Sequence, residues 1–345
     1  MMALGSIFEV LWKAQKPFVL FRTPGAEQLV LYFQEDTKTH TTTLLEEAGF
    51  VMRSFSDAAL FFCIPADKKM FFDRPISFQP ASKGSISSRL PQEKEAHLAL
   101  VEKAQRAIAS GAIQKVVVSQ KFDCPLEDEL DPLSLFLSLE KAHSDALVYF
   151  WHHPQTGTWL GASPERLLIQ SDHRLHTVAL AGTLPQSTSP AWTEKEREEQ
   201  QMVVDAIVDA LETVFPSTSI HCSKRYTKPA GNLVHLCTDI RIEDVHIPMH
   251  QVLELLHPTP AVGGLPKDKS LAFINKNESY DRRFYTGILG PVAASEKQLF
   301  VNLRCAELGI KKLAIYVGGG ITAASEPEKE WQEILRKSET ILRWI

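Results

Sequence analysis

The chain has 345 residues, 44% hydrophobic and 23% charged, an ordinary composition for a folded globular protein. Its 37 Lys and Arg stand against 42 Asp and Glu, a formal charge of −5. That balance argues against a nucleic-acid or general polyanion binder, which needs a broad positive field. An anionic small molecule could still be held by local Lys, Arg or metal charge.

Five cysteines (Cys63, Cys124, Cys222, Cys237, Cys305) are scattered and never in CxxC spacing. This favours reduced thiols over a disulfide framework or a zinc site. The opening MMALGSIFEVLW lacks a basic leader and a long apolar core, and the strongest apolar run, AALFFCIPA, is too short to cross a bilayer. A cytoplasmic protein without a membrane partner is expected.

Residues 1–85 alternate short apolar runs with Gly, Pro and polar breaks, which suits a strand-rich opening. Residues 91–111 have helical periodicity and close on Gly111. KVVVSQKF is a β-branched strand, and DPLSLFLSLEKAH is a helix opened by Asp131 with Pro132 at its first position. Strands follow at ALVYFW, TWLGA, ERLLIQ and LHTVAL, then a long helix over 193–214. Strands NLVHLCTDI, QLFVNLRC and KLAIYV alternate with helices PMHQVLELLH and 326–342. Clustered strands with hairpin-sized gaps predict an α+β fold with antiparallel sheets.

On the last helix, Trp331, Ile334, Leu335, Ile341 and Leu342 fall on one face. Glu330, Glu333 and Lys337 line its border one turn apart, just after the glycine run Gly318–Gly320, which is either a plain strand-to-loop turn or a turn offering backbone N–H groups to an anion. On the 193–214 helix, Glu199 shares the apolar stripe of Val203, Ala206, Ile207, Ala210 and Val214. A carboxylate there takes up a proton, finds a cation or snorkels to water. Taken with Glu330 and Glu333, oxygen ligands of this kind point to magnesium rather than zinc. Glu165, after Pro164, would ordinarily be a solvated turn residue, and Lys115 an ammonium capping a strand end. Arg304 lies in the apolar strand LFVNLRC, either on a solvent-facing pleat or aimed at an anion. His235 and His257 are lone histidines. No P-loop, GxGxxG, HExxH or Gly-x-Ser-x-Gly pattern is present.

KVVVSQK, GASPERLL, ALAGT, EKEREEQQMVVD, HLCT, LLHPTPAVGGLP, ESYDRRFYTGILG, LFVNLRCAEL and GGGITAASEPEKEWQEILRK occur in one order. In that order they resemble the chorismate-utilising enzymes: isochorismate synthase, salicylate synthase, and component I of anthranilate and aminodeoxychorismate synthases. The resemblance covers residues 90–345 and leaves residues 1–85 as a variable part. It implies a single domain over 1–345, with two antiparallel β-sheets packed face to face, helices outside and a cleft between the halves.

Within the family the chain resembles the isochorismate synthase branch. Lys115 stands where ammonia-using members carry glutamine, Ala181 is not the nucleophilic lysine of aminodeoxychorismate synthases, and HPTPA, ending at Ala261, matches water-using members. The resemblance implies that a neutral Lys115 activates water for attack at C2 of chorismate, while Glu165 protonates the departing C4 hydroxyl. It implies Mg²⁺ bound by Glu199 and Glu333 with Glu330 close by or bonded through water. Arg304 and the Gly318 backbone would bind the pyruvyl carboxylate, with Gly182, Thr183, His235 and Lys337 lining the substrate. One departure is Gln200, where many members have histidine after the metal-binding glutamate.

These residues leave salicylate synthase, which goes on to eliminate pyruvate, as the alternative, ahead of an anthranilate-type synthase and a metal-binding homologue without catalysis. No glutaminase subunit is expected, and the chain is expected to be a monomer or weak homodimer. Menaquinone or catechol-siderophore biosynthesis is the implied setting.

Overall fold

The computed structural model describes residues 2–56, 60–74, 93–126, 130–185, 191–230 and 233–345. Among them are seven α-helices: α1 (Met2–Lys13), α2 (Lys94–Ala109), α3 (Pro132–Ala142), α4 (Glu194–Glu212), α5 (Met249–Leu256), α6 (Lys267–Asn277) and α7 (Pro327–Leu342). The sequence signals for α3 act as read: Asp131 accepts hydrogen bonds from the backbone N–H groups of Leu133 and Ser134, with Pro132 opening the helix. Thr193 and Glu196 form a reciprocal capping box at the start of α4.

The strands form two sheets, and every pairing in them is antiparallel. The first sheet runs, in spatial order, Gly264–Leu265, Lys115–Pro125, Lys312–Ile321, Cys305–Gly309, Gly157–Ser163, Leu147–His153, Phe18–Arg22, Gln28–Phe33 and Lys69–Asp73. The second runs Ile220–Cys222, Leu233–Ile242, Arg174–Pro185, Arg166–Ser171, Glu296–Val301, Ile288–Val292, Gly49–Arg53, Phe61–Pro65 and His40–Thr42. Tyr226–Ala230 pairs with Leu233–Ile242 beside that path.

The inner faces meet through Phe21, Tyr149, Trp151 and Tyr316 of the first sheet and Phe50, Met52, Leu289 and Phe300 of the second. Outside the first sheet, Trp331 and Ile334 of α7 and Phe136 and Leu139 of α3 pack on Phe150 and Ile315. Outside the second, Val203, Ile207 and Leu211 of α4 and Val252 of α5 cover Ala179 and Ile240. Helices therefore lie outside two sheets packed face to face, the architecture expected.

Strands from the first 73 residues belong to both sheets. The sequence reading missed α1, whose Leu4, Phe8 and Leu11 at helical spacing are buried in the first core. It also missed α6, which buries only Ser270 and Ile274 and so carries almost no periodic signal.

Two short segments position the site. The chain leaves the first sheet after Ser163 and enters the second at Arg166; it returns from Val301 to Cys305. The two crossings are clipped together: the Val301 N–H donates to the Glu165 carbonyl at 3.0 Å, and the Ala162 N–H to the Arg304 carbonyl at 3.2 Å. Arg304, with φ +49°, is thus not inside a strand as LFVNLRC suggested. It sits where the chain changes sheets, because the apolar residues on either side belong to different cores.

The glycine run is also corrected. Gly318–Gly320 lie within the Lys312–Ile321 strand, in register with Ser119, Val118 and Val117, and not in a turn. Gly318 and Gly320 allow close approach. A Cβ at Gly318 would stand 2.7 Å from the Tyr285 hydroxyl, and one at Gly320 would stand 3.0 Å from Cε of Lys115.

Candidate active site

Alternation along the Lys115–Pro125 strand turns Val116 and Val118 into an apolar cluster with Val101 and Ile321. Lys115 and Val117 face the other way, into a cleft with about 810 Å³ of empty volume, part of it open to solvent. Both sheets, both crossings, α4 and α7 contribute to its walls.

Lys115 is buried, not a solvated strand cap, and its Nζ donates to Oε1 of Glu199 at 2.8 Å. Glu199 comes from the second turn of α4 and is about one-fifth exposed. Glu165 is likewise buried, although it sits between strands. Burial pushes its carboxyl up to about 7, against the opposing pull of Lys115, Lys337 and Lys228.

From α7, Glu333 and Lys337 face the cleft and pair with each other at 2.6 Å. Burial alone would raise the Glu333 carboxyl, but Lys337, Arg304 and Arg336 outweigh it and hold the group below the usual carboxylate range. Lys337 also donates to the Gly318 carbonyl at 2.8 Å. Arg304 lines the cleft from the second crossing and donates to Oγ1 of Thr340 at 3.2 Å. Glu333, Lys337 and Thr340 are thus three successive groups on one face of α7.

His235 is buried, and its Nδ1 lies 2.9 Å from the Gly182 carbonyl. A carbonyl only accepts, so Nδ1 carries the proton. Burial first, then Arg304, lowers the ring's pKa to about 4, so it is neutral. Ala181, Gly182, Ala261 and Gly318 also line the cleft, while the side chain of Thr183 lies outside those described.

Ten of the twelve expected site residues therefore share one cavity: Lys115, Glu165, Gly182, Glu199, His235, Ala261, Arg304, Gly318, Glu333 and Lys337. Glu330 is not part of its lining. Its Oε2 lies 3.6 Å from where a Cβ of Gly319 would stand, and Gly319 faces α7 while its neighbours face the cleft. Among the described residues no three His, Cys, Asp or Glu side chains converge as a ready metal cluster. Of the three expected metal ligands, Glu199 and Glu333 reach the cleft, and both are hard oxygen donors that suit Mg²⁺.

Sequence reasoning missed Tyr285, Thr286 and Tyr316, which also line the cleft. The first two sit in ESYDRRFYTGILG, a motif recognised without any site residue being drawn from it. Tyr316 reads simply as an apolar strand residue. A buried ion pair fixes this wall: Arg282 and Glu278 meet at 2.6 Å, and Glu278 also accepts from the Ser119 N–H and hydroxyl.

The comparisons with known proteins agree with this geometry. A protein family described as "Chorismate binding enzyme" matches residues 32–345, starting well before residue 90. The isochorismate synthase MenF of Haemophilus influenzae is 29% identical over 249 residues, covering 69% of this chain and 57% of that protein. The isochorismate synthase MenF of Escherichia coli K12 is 29% identical over 285 residues, 78% of this chain and 65% of that protein. The chain thus spans less than two thirds of the length of either relative. The solved structure of the menaquinone-specific isochorismate synthase MenF from Escherichia coli matches with a TM-score of 0.81 at 21% identity, covering 94% of this chain and 88% of that one. With the ordered motifs meeting in one cleft, this chain belongs to the chorismate binding enzyme family.

Proposed function

We propose that the protein is an isochorismate synthase, converting chorismate to isochorismate with Mg²⁺. The observation that carries the reading is that one cleft holds both Lys115 and a Glu165 whose carboxyl is raised to about 7. Near neutral pH Glu165 keeps a proton to give, which a general acid requires. Lys115 takes a proton from a water molecule, whose oxygen bonds to C2 as both ring double bonds shift. The C4–O bond breaks, and Glu165 protonates the departing hydroxyl, which leaves as water. Atoms balance as an isomerisation, and the two side chains then exchange a proton to reset. Help of this kind is worth about 10²–10⁴-fold per group.

Charge supports the substrate class. Arg304, Lys337 and Lys115 bring basic side chains to the cleft beside Glu165, Glu199 and Glu333. Mg²⁺, held by Glu199 and Glu333, would supply the two positive charges that a dianion needs and would neutralise its ring carboxylate. Arg304 and the Gly318 backbone are the proposed contacts of the second carboxylate.

The test is pure protein with chorismate and Mg²⁺, with products resolved by chromatography and NMR. Isochorismate is expected, formed without ammonium or a partner subunit and abolished by EDTA. Salicylate with pyruvate would establish the lyase alternative instead. Product only with ammonium would mean an anthranilate-type enzyme, and no product would reject the reading.

A further inference from the structure

The beginning of α4 is poorly anchored by apolar contacts. Glu194, Arg197, Glu198 and Gln201 are exposed, and the first buried apolar side chain is Val203. Among the described side chains of this stretch, the buried one before Val203 is Gln200, which is fully inaccessible. Its Nε2 donates to Oγ1 of Thr238 at 2.9 Å and to the Ala179 carbonyl at 3.4 Å. Those two residues are register partners on adjacent strands of the second sheet. Its Oε1 accepts from Nε of Arg225 at 2.5 Å, and Nη2 of Arg225 donates to Oε1 of Gln201 at 2.8 Å. The segment carrying Arg225 is tied to the same sheet, since the Ser223 N–H donates to the Asp239 carbonyl at 2.9 Å. Sheet, loop, arginine and glutamine close a ring around the second turn of α4.

We propose that Gln200 is a positioning residue, and that Arg225, on the outer surface, acts on the cleft through it. Neighbouring residues on a helix point about 100° apart. Fixing Gln200 against the sheet therefore fixes the direction of Glu199, whose carboxylate meets Lys115. A side chain about 6 Å from the helix axis moves roughly 2 Å for a 20° rotation, enough to break a 2.8 Å contact. The apolar contacts that would resist such a rotation begin only one turn later. This inference rests on the functional reading above for its kinetic consequence, but the geometry can be tested without it.

The experiment uses the full chain with Gln200→Met, Arg225→Met and Arg225→Lys. Arg225 is exposed, so its variants keep the fold even if Gln200→Met does not. The expected result is a fall in kcat of about tenfold or more for both Met variants, with KM and melting temperature little changed. Arg225→Lys, which can still donate to Gln200, should recover most of it. Crystal structures of the Met variants should show the Lys115–Glu199 contact opened beyond hydrogen-bond range. Wild-type kcat in Arg225→Met, or an intact Lys115–Glu199 contact in its crystal structure, would overturn the proposal. If the native protein does not convert chorismate, the functional reading fails and the crystal structures alone decide this one.

Discussion

Lys115 and Glu199, 84 residues apart in the chain, meet at 2.8 Å across the cleft. One opens a strand of the first sheet and the other projects from a helix outside the second, so the contact ties the two halves together. It also joins the proposed base to a proposed ligand of the metal.

Replacing Lys115 by glutamine keeps an N–H donor for Glu199 but removes the group that accepts a proton. Turnover of chorismate should fall by about 10²–10⁴-fold, while circular dichroism and melting stay close to native. Retained turnover would remove Lys115 as the base.

Glu165 makes a prediction about pH. Its acid form is needed, so Glu165 should give kcat/KM an alkaline limb that falls as pH rises through about 7. Glu165→Gln should lose that limb together with most activity. Stability follows the same sign. The folded carboxyl titrates above its usual 4.5, so its contribution is present below pH 4.5 and is lost as pH climbs through about 7. Urea denaturation should find Glu165→Gln more stable than native at pH 8, by roughly 2–3 kcal/mol, and matched to it at pH 4.

Thr340 orients Arg304 through a 3.2 Å hydrogen bond. Thr340→Val preserves shape and removes the acceptor, so KM for chorismate should rise about 5–10-fold, the worth of one ordinary hydrogen bond of about 1 kcal/mol, with kcat little altered. Thr340→Ser should restore it. Equal KM values in all three proteins would show that Arg304 needs no such support.

His97 of α2 faces α7, its ring 5.6 Å from that of Trp331, and neither ring nitrogen has a hydrogen-bond partner among the described residues. Burial lowers its pKa to about 4. A depressed histidine contributes stability above its ordinary 6.5 that is lost as pH falls through about 4. His97→Leu should therefore gain on native as pH drops from 7 to 4, and should already be about 1 kcal/mol more stable at pH 7. Denaturation curves that stay parallel across this range would refute it.

The sequence by itself determined the local elements with strong signals, such as the capped helices α3 and α4 and the valine strand after Lys115. It also determined the family, because nine motifs in fixed order are far more specific than any one residue. Periodicity cannot report pairing between distant segments, so tertiary structure decided the rest. Glycine is a poor strand former, yet Gly318–Gly320 are held extended by pairing with 117–119. Arg304 and Glu165 reach the cleft because each lies where the chain crosses between sheets, and the sequence showed only apolar runs on either side. Helical spacing put Glu330 and Glu333 on one stripe, but packing of α7 on its sheet brings Glu333 into the cleft and leaves Glu330 beside Gly319. Burial, which turns Glu165 from an ordinary carboxylate into an acid near neutrality, is a property of the folded neighbours and is written in no single segment.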